Sequence, residues 1–149
     1  MSQTAAESES HLCTFVVGDL LLGLPVEEVS EVVRAEVLTP VPLAPPGVLG
    51  LLNLRGRIVT AVDARVRFGL APRETGQPTA HVVVRVLDEQ VSLVVDRTSD
   101  VVRVTSDQRE QVPETVDADI RRLLTGAYQR AGALLLVLDP ALAVSVHLS

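Results

Sequence analysis

The sequence predicts a mainly β protein built from two similar small units. Three observations support this: valine dominates the apolar residues, glycine and proline each occur nine times, and two residue patterns recur along the chain. β-Branched residues favour strands, and glycine and proline favour the turns between them. The chain has 149 residues, 47% of them apolar, so it has the size and the material for one compact domain.

The first elements follow from short apolar runs and the turn residues that separate them. Residues 1–11 are mostly small and polar, so we expect a flexible tail before a domain that covers 12–149. The runs 14–17 and 20–24 flank Gly18 and predict a hairpin, because glycine adopts positive φ at no steric cost.

A short amphipathic helix is expected next. Pro25 can occupy a first helical position, and Val26, Val29 and Val33 follow at spacings of three and four residues. The proline-rich segment 39–46 cannot donate a continuous ladder of hydrogen bonds and is expected to be an extended surface connection.

The later elements are predominantly strands. Residues 48–54 and 58–62 read as a second hairpin, closed by Arg55-Gly56-Arg57, and 71–80 as a loop. Residues 106–118 read as a polar connection. The remaining strand candidates are 81–87, 91–95, 100–105, 123–129 and 134–138.

Two repeated patterns indicate an internal duplication. Ser-Glu-Val-Val-Arg at 30–34 is echoed by Ser-Asp-Val-Val-Arg at 99–103. Two glycines and an aspartate recur at equal separations, as Gly50, Gly56 and Asp63 and then as Gly126, Gly132 and Asp139. Because units of this size bury little core alone, two subdomains at about 12–75 and 80–149, sequential or interleaved, should share an apolar interface.

Charge and composition exclude several classes of function. The formal net charge of −6 opposes binding to nucleic acid or to anionic lipid. All 13 basic residues are arginine, which excludes Walker-type phosphate loops and Schiff-base chemistry. The three histidines are scattered, and Cys13 is the single cysteine. We therefore expect no enzyme, no cofactor, no metal, no small-molecule substrate and no membrane insertion, and a cytoplasmic location.

The segment Gly50-Leu-Leu-Asn-Leu-Arg-Gly-Arg-Ile-Val-Thr-Ala-Val-Asp63 resembles the signature of CheW-like domains. Val29-Ser-Glu-Val32, the proline-containing loop and Val94-Val-Asp96 follow in the same order as in that family. The resemblance implies two packed SH3-like five-stranded barrels. It also implies a non-catalytic adaptor that couples the chemoreceptor signalling tip to the regulatory domain of a CheA-type histidine kinase, and recruitment to receptor arrays.

The resemblance also implies two sets of contact residues. Positions matching the family's receptor-docking residues are Val29, Glu31, Gly50 and Arg55. For the kinase, which family members contact through loops and strand ends, the expected residues are Val41, Leu43 and Leu70.

Several alternatives stay open at this point. Arg55 can be a solvated turn residue, Glu31 a surface charge, and Gly50 a purely conformational residue. The family's usual Pro-Val before the aspartate is replaced by Thr60-Ala61, and a usual leucine by Ala64. These departures raise a second hypothesis, an accessory adaptor that binds receptors without the kinase. A third is a β-barrel protein that binds a small ligand between its barrels.

Overall fold

The computed structural model describes residues 8–34, 37–74 and 76–145. Within these residues the chain forms two β-sheets joined by turns and short helices. The strands are β1 (Glu9–Val17), β2 (Leu20–Pro25), β3 (Val29–Arg34), β4 (Val48–Leu54), β5 (Arg57–Asp63), β6 (Ala80–Val86), β7 (Glu89–Val95), β8 (Arg97–Thr105), β9 (Arg109–Glu110), β10 (Leu124–Arg130) and β11 (Ala133–Leu138). The helices are α1 (Ala64–Phe68), α2 (Ala118–Arg121) and α3 (Pro140–Val144).

The two sheets are interleaved along the chain. The central sheet has the spatial order β3-β6-β7-β5-β4, and all its strands come from the continuous segment 29–95. The terminal sheet has the order β8-β1-β2-β11-β10-β9, so its strands come from both ends of the chain. Each sheet contains one parallel pair, β5 with β7 in the central sheet and β11 with β2 in the terminal sheet.

The two sheets repeat the same arrangement strand by strand. In spatial order, β3, β6, β7, β5 and β4 correspond to β8, β1, β2, β11 and β10. The repeated motifs 30–34 and 99–103 lie in the corresponding strands β3 and β8. Asp63 and Asp139 each cap the helix that follows them, accepting hydrogen bonds from the N–H groups of Arg65 at 3.0 Å and Leu142 at 3.1 Å. The predicted mainly β fold is confirmed.

The apolar residues form three layers, because successive side chains of a strand point to opposite faces of its sheet. Val82 and Val84 of β6 face the core that the two sheets share, whereas Val83 is buried on the opposite face. That opposite face, on the side of the central sheet away from the core that the two sheets share, is called the interior of the central sheet below. The terminal sheet has its own interior cluster, formed by Leu12, Val104, Tyr128, Leu135 and Val137.

The helix predicted after Pro25 is wrong. Residues Val26–Glu28 form only one 3₁₀ turn, and Val29–Arg34 continue as strand β3, paired antiparallel with β6. β-Branched valines have restricted χ1 rotamers in a helix but pack well on a pleated sheet, and pairing with β6 supplies backbone hydrogen bonds. Two smaller differences are that the first strand starts at Glu9, inside the expected tail, and that the polar connection 106–118 contains β9.

No helix within the described residues is long and apolar enough to span a bilayer.

Candidate functional site

Glu31 and Arg55, which are 24 residues apart in sequence, meet at one end of the central sheet. The guanidinium Nη1 of Arg55 lies 2.7 Å from Glu31 Oε1 and 2.9 Å from Glu31 Oε2. A β-bulge in β3 between Val29 and Glu31 shifts the pairing register with β6 at this point. The Arg55 side chain is 76% exposed and that of Glu31 only 20%. The guanidinium of Arg55 therefore faces solvent while it contacts the mostly buried carboxylate of Glu31.

The turn that carries Arg55 is conformationally unfavourable for arginine. Leu54 pairs with Arg57, so Arg55 and Gly56 form a two-residue hairpin loop, with φ of 55° and 83°. Positive φ at both positions defines a type I′ turn, which prefers Asn-Gly. Asn53 supports the turn by accepting a hydrogen bond from the Gly56 N–H at 3.0 Å. Arg55 therefore holds a backbone conformation that is less favourable for arginine than for asparagine or glycine.

Of the two other expected receptor contacts, one is partly buried and one is buried. Val29 is partly buried against the shared core. Gly50 is buried, and a Cβ atom on it would lie 2.6 Å from the carbonyl oxygen of Thr39. Thr39 and Leu51 exchange backbone hydrogen bonds of 2.9 and 2.8 Å, so this glycine permits the connecting segment to approach β4. The fold alone therefore accounts for a glycine at position 50.

The expected kinase contacts divide between a surface turn and the core. Val41 accepts a hydrogen bond from the Ala44 N–H at 3.3 Å, which closes a turn with Pro42 and Leu43 at its centre. Leu43 has a φ of 62° and its side chain is fully exposed. Glycine is the usual residue at this position of a type II turn. Leu70, by contrast, is partly buried against the shared core.

Two exposed valines occupy equivalent positions in the two sheets. Val32 in β3 and Val101 in β8 occupy the same position of the repeated Ser-acid-Val-Val-Arg motif, and both are substantially exposed.

A partly buried cluster of charges lies where the chain crosses between the sheets. Asp96, between β7 and β8, accepts hydrogen bonds from Arg65 Nε at 3.0 Å and Nη2 at 2.6 Å, from Arg73 Nη2 at 3.0 Å, and from the Gly18 N–H at 2.7 Å. Arg73 also lies 3.4 Å from Asp63. Burial alone would raise the pKa of Asp96, but hydrogen bonds from Arg65, Gly18 and Arg73 outweigh it and lower the pKa to about 2. Near neutral pH this carboxylate is ionised and has no proton to donate. The cluster connects the β1–β2 turn, helix α1 and the loop after it with the link between β7 and β8.

The departures from the family signature lie mainly inside the molecule. Ala61 and Ala64 are fully buried, and Thr60 is partly buried. These changes therefore alter packing and remove no large side chain from the surface. Among the described residues, no three histidine, cysteine, aspartate or glutamate side chains are grouped so that they could hold a metal ion.

The model of the CheW-like domain family matches residues 11–146. The chemotaxis protein CheW of Helicobacter pylori is 32% identical over 102 residues, which cover 68% of this chain and 62% of that protein. The chemotaxis protein CheW of Treponema pallidum is 28% identical over 137 residues, covering 89% of this chain and 81% of that protein. The crystal structure of the scaffolding protein TtCheW from Thermoanaerobacter tengcongensis has the same fold, with a TM-score of 0.81 at 23% identity, covering 97% of this chain and 94% of that one. This chain belongs to the CheW-like domain family.

Proposed function

We propose that this protein is a non-catalytic adaptor that couples chemoreceptors to a CheA-type histidine kinase in chemosensory signalling. The observation that carries the proposal is the Glu31–Arg55 pair, which is presented outward at the end of the central sheet by a turn that is unfavourable for arginine. An exposed ion pair contributes little to folding, so this pair is free to take part in recognition.

The receptor side of the proposal rests on charge. A receptor helix lying against this end of the central sheet would contact Arg55, and its guanidinium would fix the register of the helix. The planar guanidinium suits this task because it can bind a carboxylate through two hydrogen bonds.

The kinase side of the proposal rests on the turn at 41–44. Leu43 combines a positive φ with full exposure, and both properties are unfavourable in an isolated protein. Leu87 shares both properties, so the choice of Leu43 as the kinase contact rests on the family resemblance. Because the replaced signature residues Ala61 and Ala64 are buried, they leave this surface intact, which supports retention of kinase binding.

Replacing Arg55 with asparagine is expected to separate receptor binding from stability. Asparagine suits the first position of a type I′ turn, and loss of an exposed ion pair costs little, so the free energy of unfolding should change by less than about 0.5 kcal/mol. Binding to a receptor signalling-tip fragment should weaken roughly tenfold, because the guanidinium is lost. Isothermal titration calorimetry and urea unfolding measure the two quantities. Unchanged receptor affinity would remove Arg55 from the binding surface.

Replacing Leu43 with glycine is expected to weaken binding to the kinase regulatory domain by about tenfold without destabilising the fold. Glycine removes the apolar contact and also relieves the positive-φ strain, by about 1 kcal/mol. Leu87→Gly is the matched control, because Leu87 is also an exposed leucine, with φ of 56°, at a hairpin turn. If the parent protein binds receptors but not the regulatory domain, it is an accessory adaptor and the kinase half of the proposal fails.

A further inference from the structure

Three arginines converge at the open end of the central sheet. Arg55, Arg57 and Arg85 line a pocket of about 230 Å³, together with Glu31 and Gln90. Glu31 is the one carboxylate of this pocket, and its oxygens already contact Arg55. The lining of this pocket has two more arginines than carboxylates, and Arg57 and Gln90 also line a neighbouring pocket together with Asp88 and Glu89.

The strand register explains why these residues meet. On β6, Val83 is buried in the interior of the central sheet, and Arg85 lies on the same face, two residues closer to the strand end. Arg85 pairs directly with Gln90 across β6 and β7. On β5, Arg57 lies on the same face as the buried Val59 and pairs with Leu54 at the hairpin end. The arginines thus form the rim of an apolar interior.

Neither Arg57 nor Arg85 has an ion-pair partner within residues 8–34, 37–74 and 76–145. The Gln90 side chain donates from Nε2 to Ser30 Oγ at 2.9 Å, but its Oε1 is buried and has no hydrogen-bond partner. A buried acceptor without a partner is unfavourable. The rim therefore offers two free guanidinium groups and one acceptor that needs a donor.

We propose that this pocket receives a carboxylate side chain of the chemoreceptor helix, held between Arg57 and Arg85. The inference rests on the proposed adaptor function and names a second anchor for the same partner. Guanidinium groups bind carboxylates through paired hydrogen bonds. A protein partner can also bring an N–H or O–H donor to Gln90 Oε1, whereas an anion without hydrogen, such as chloride or sulfate, leaves that oxygen unsatisfied. This favours a side chain over a free anion.

The terminal sheet lacks an equivalent pair of arginines at its hairpin. By the internal repeat, Arg130-Ala131-Gly132-Ala133 corresponds to Leu54-Arg55-Gly56-Arg57, so alanines replace Arg55 and Arg57. The basic rim therefore distinguishes the two halves of an otherwise duplicated fold. It also supplies a control, because Arg130→Gln removes one positive charge from the corresponding hairpin.

The test measures binding of the full chain to a receptor signalling-tip fragment by isothermal titration calorimetry at low and high NaCl concentration. The double variant Arg57→Gln/Arg85→Gln is expected to bind roughly 10- to 30-fold more weakly at low salt, with a smaller salt dependence. Arg130→Gln should bind as the parent protein does. Arg85→Glu should lose binding and regain part of it when one acidic residue of the receptor tip is changed to arginine.

Parent-like binding by the double variant overturns this inference and leaves the adaptor function standing. Failure of the parent chain to bind the tip overturns the adaptor function and this inference together. A separate titration with inorganic phosphate at constant ionic strength, followed by NMR of the arginine side chains, tests the other source of an anion. Saturable phosphate binding at Arg57 and Arg85, with no effect of the double variant on receptor affinity, would assign the pocket to a free anion instead.

Discussion

Replacing Asp96 with asparagine is expected to lower the free energy of unfolding by about 3 kcal/mol, because it removes one partner of a mostly buried charge cluster. The side chains of Asp96, Arg65 and Arg73 are 19%, 16% and 10% exposed. Without the Asp96 carboxylate, two guanidinium groups lose their main acceptor in a poorly solvated site. The variant also weakens the hydrogen bond from the Gly18 N–H to residue 96. This bond connects the β1–β2 turn to the link between β7 and β8.

The same cluster predicts how stability depends on pH. The pKa of Asp96 is about 2 in the folded protein, against an ordinary value of 3.8. A depressed pKa means that the stabilisation is fully present above the unfolded value and is lost as pH falls from about 4 to about 2. The contribution is roughly 1 to 2 kcal/mol, the lower figure allowing for partial solvent access. The asparagine variant should therefore lack this part of the acid dependence.

Urea unfolding of both proteins between pH 2 and pH 7 measures the two effects. Glu9→Gln is the control, because it breaks the exposed Glu9–Arg103 pair, whose atoms are 3.0 Å apart, and should change stability by less than about 0.5 kcal/mol. If Asp96→Asn costs no more than Glu9→Gln, the cluster does not hold the two sheets together and our interpretation of it is wrong.

The duplication was visible in the sequence, but the exchange of strands between its halves was not. β7 ends at Val95 and β8 starts at Arg97, so a single residue connects them. In the central sheet, β3 and β7 flank β6 and run parallel to each other. A strand that followed β7 into the position of β3 would need a crossover of about a dozen residues. The one-residue connection therefore forces β8 into the other sheet, where it pairs with β1.

The helical spacing of valines after Pro25 gave a wrong prediction, because pairing between distant strands decides the conformation there. The valines after Pro25 have helical spacing, but an isolated turn of helix is weakly stable, and antiparallel pairing with β6 satisfies the backbone of Val29–Arg34 instead. Hairpins were more predictable, because glycine at positions 18 and 56 marks turns whose φ is positive.

The candidate site was only partly predictable. The family signature named Glu31 and Arg55 separately, and the contact between them depends on a strand register that neither segment encodes alone. The strain at Arg55 and Leu43 is invisible in sequence, because both residues are common types whose φ is fixed by hairpin length or turn closure. The sequence analysis did not identify Arg57 and Arg85 as a pair, because β5 and β6 meet at the pocket only in the folded chain.

Replacing Gly50 with alanine is expected to lower the free energy of unfolding by roughly 3 kcal/mol, because its Cβ would collide with backbone. The nearest atom, the carbonyl oxygen of Thr39, would lie only 2.6 Å away, and Thr39 is held there by hydrogen bonds to Leu51. Gly132→Ala is the matched control. Gly132 has a positive φ of 79° but no atom within 4 Å of its added Cβ, so it should cost only about 1 kcal/mol.

Comparing the two variants separates a structural glycine from a binding residue. Thermal and urea unfolding give the stability difference, and calorimetric titration below the unfolding transition gives the receptor affinity of the folded fraction. We expect Gly50→Ala to be the less stable protein by about 2 kcal/mol, with receptor affinity per folded molecule close to that of the parent. Equal stabilities combined with lost receptor binding would mean that the partner, rather than Thr39, requires the absence of a side chain at this position.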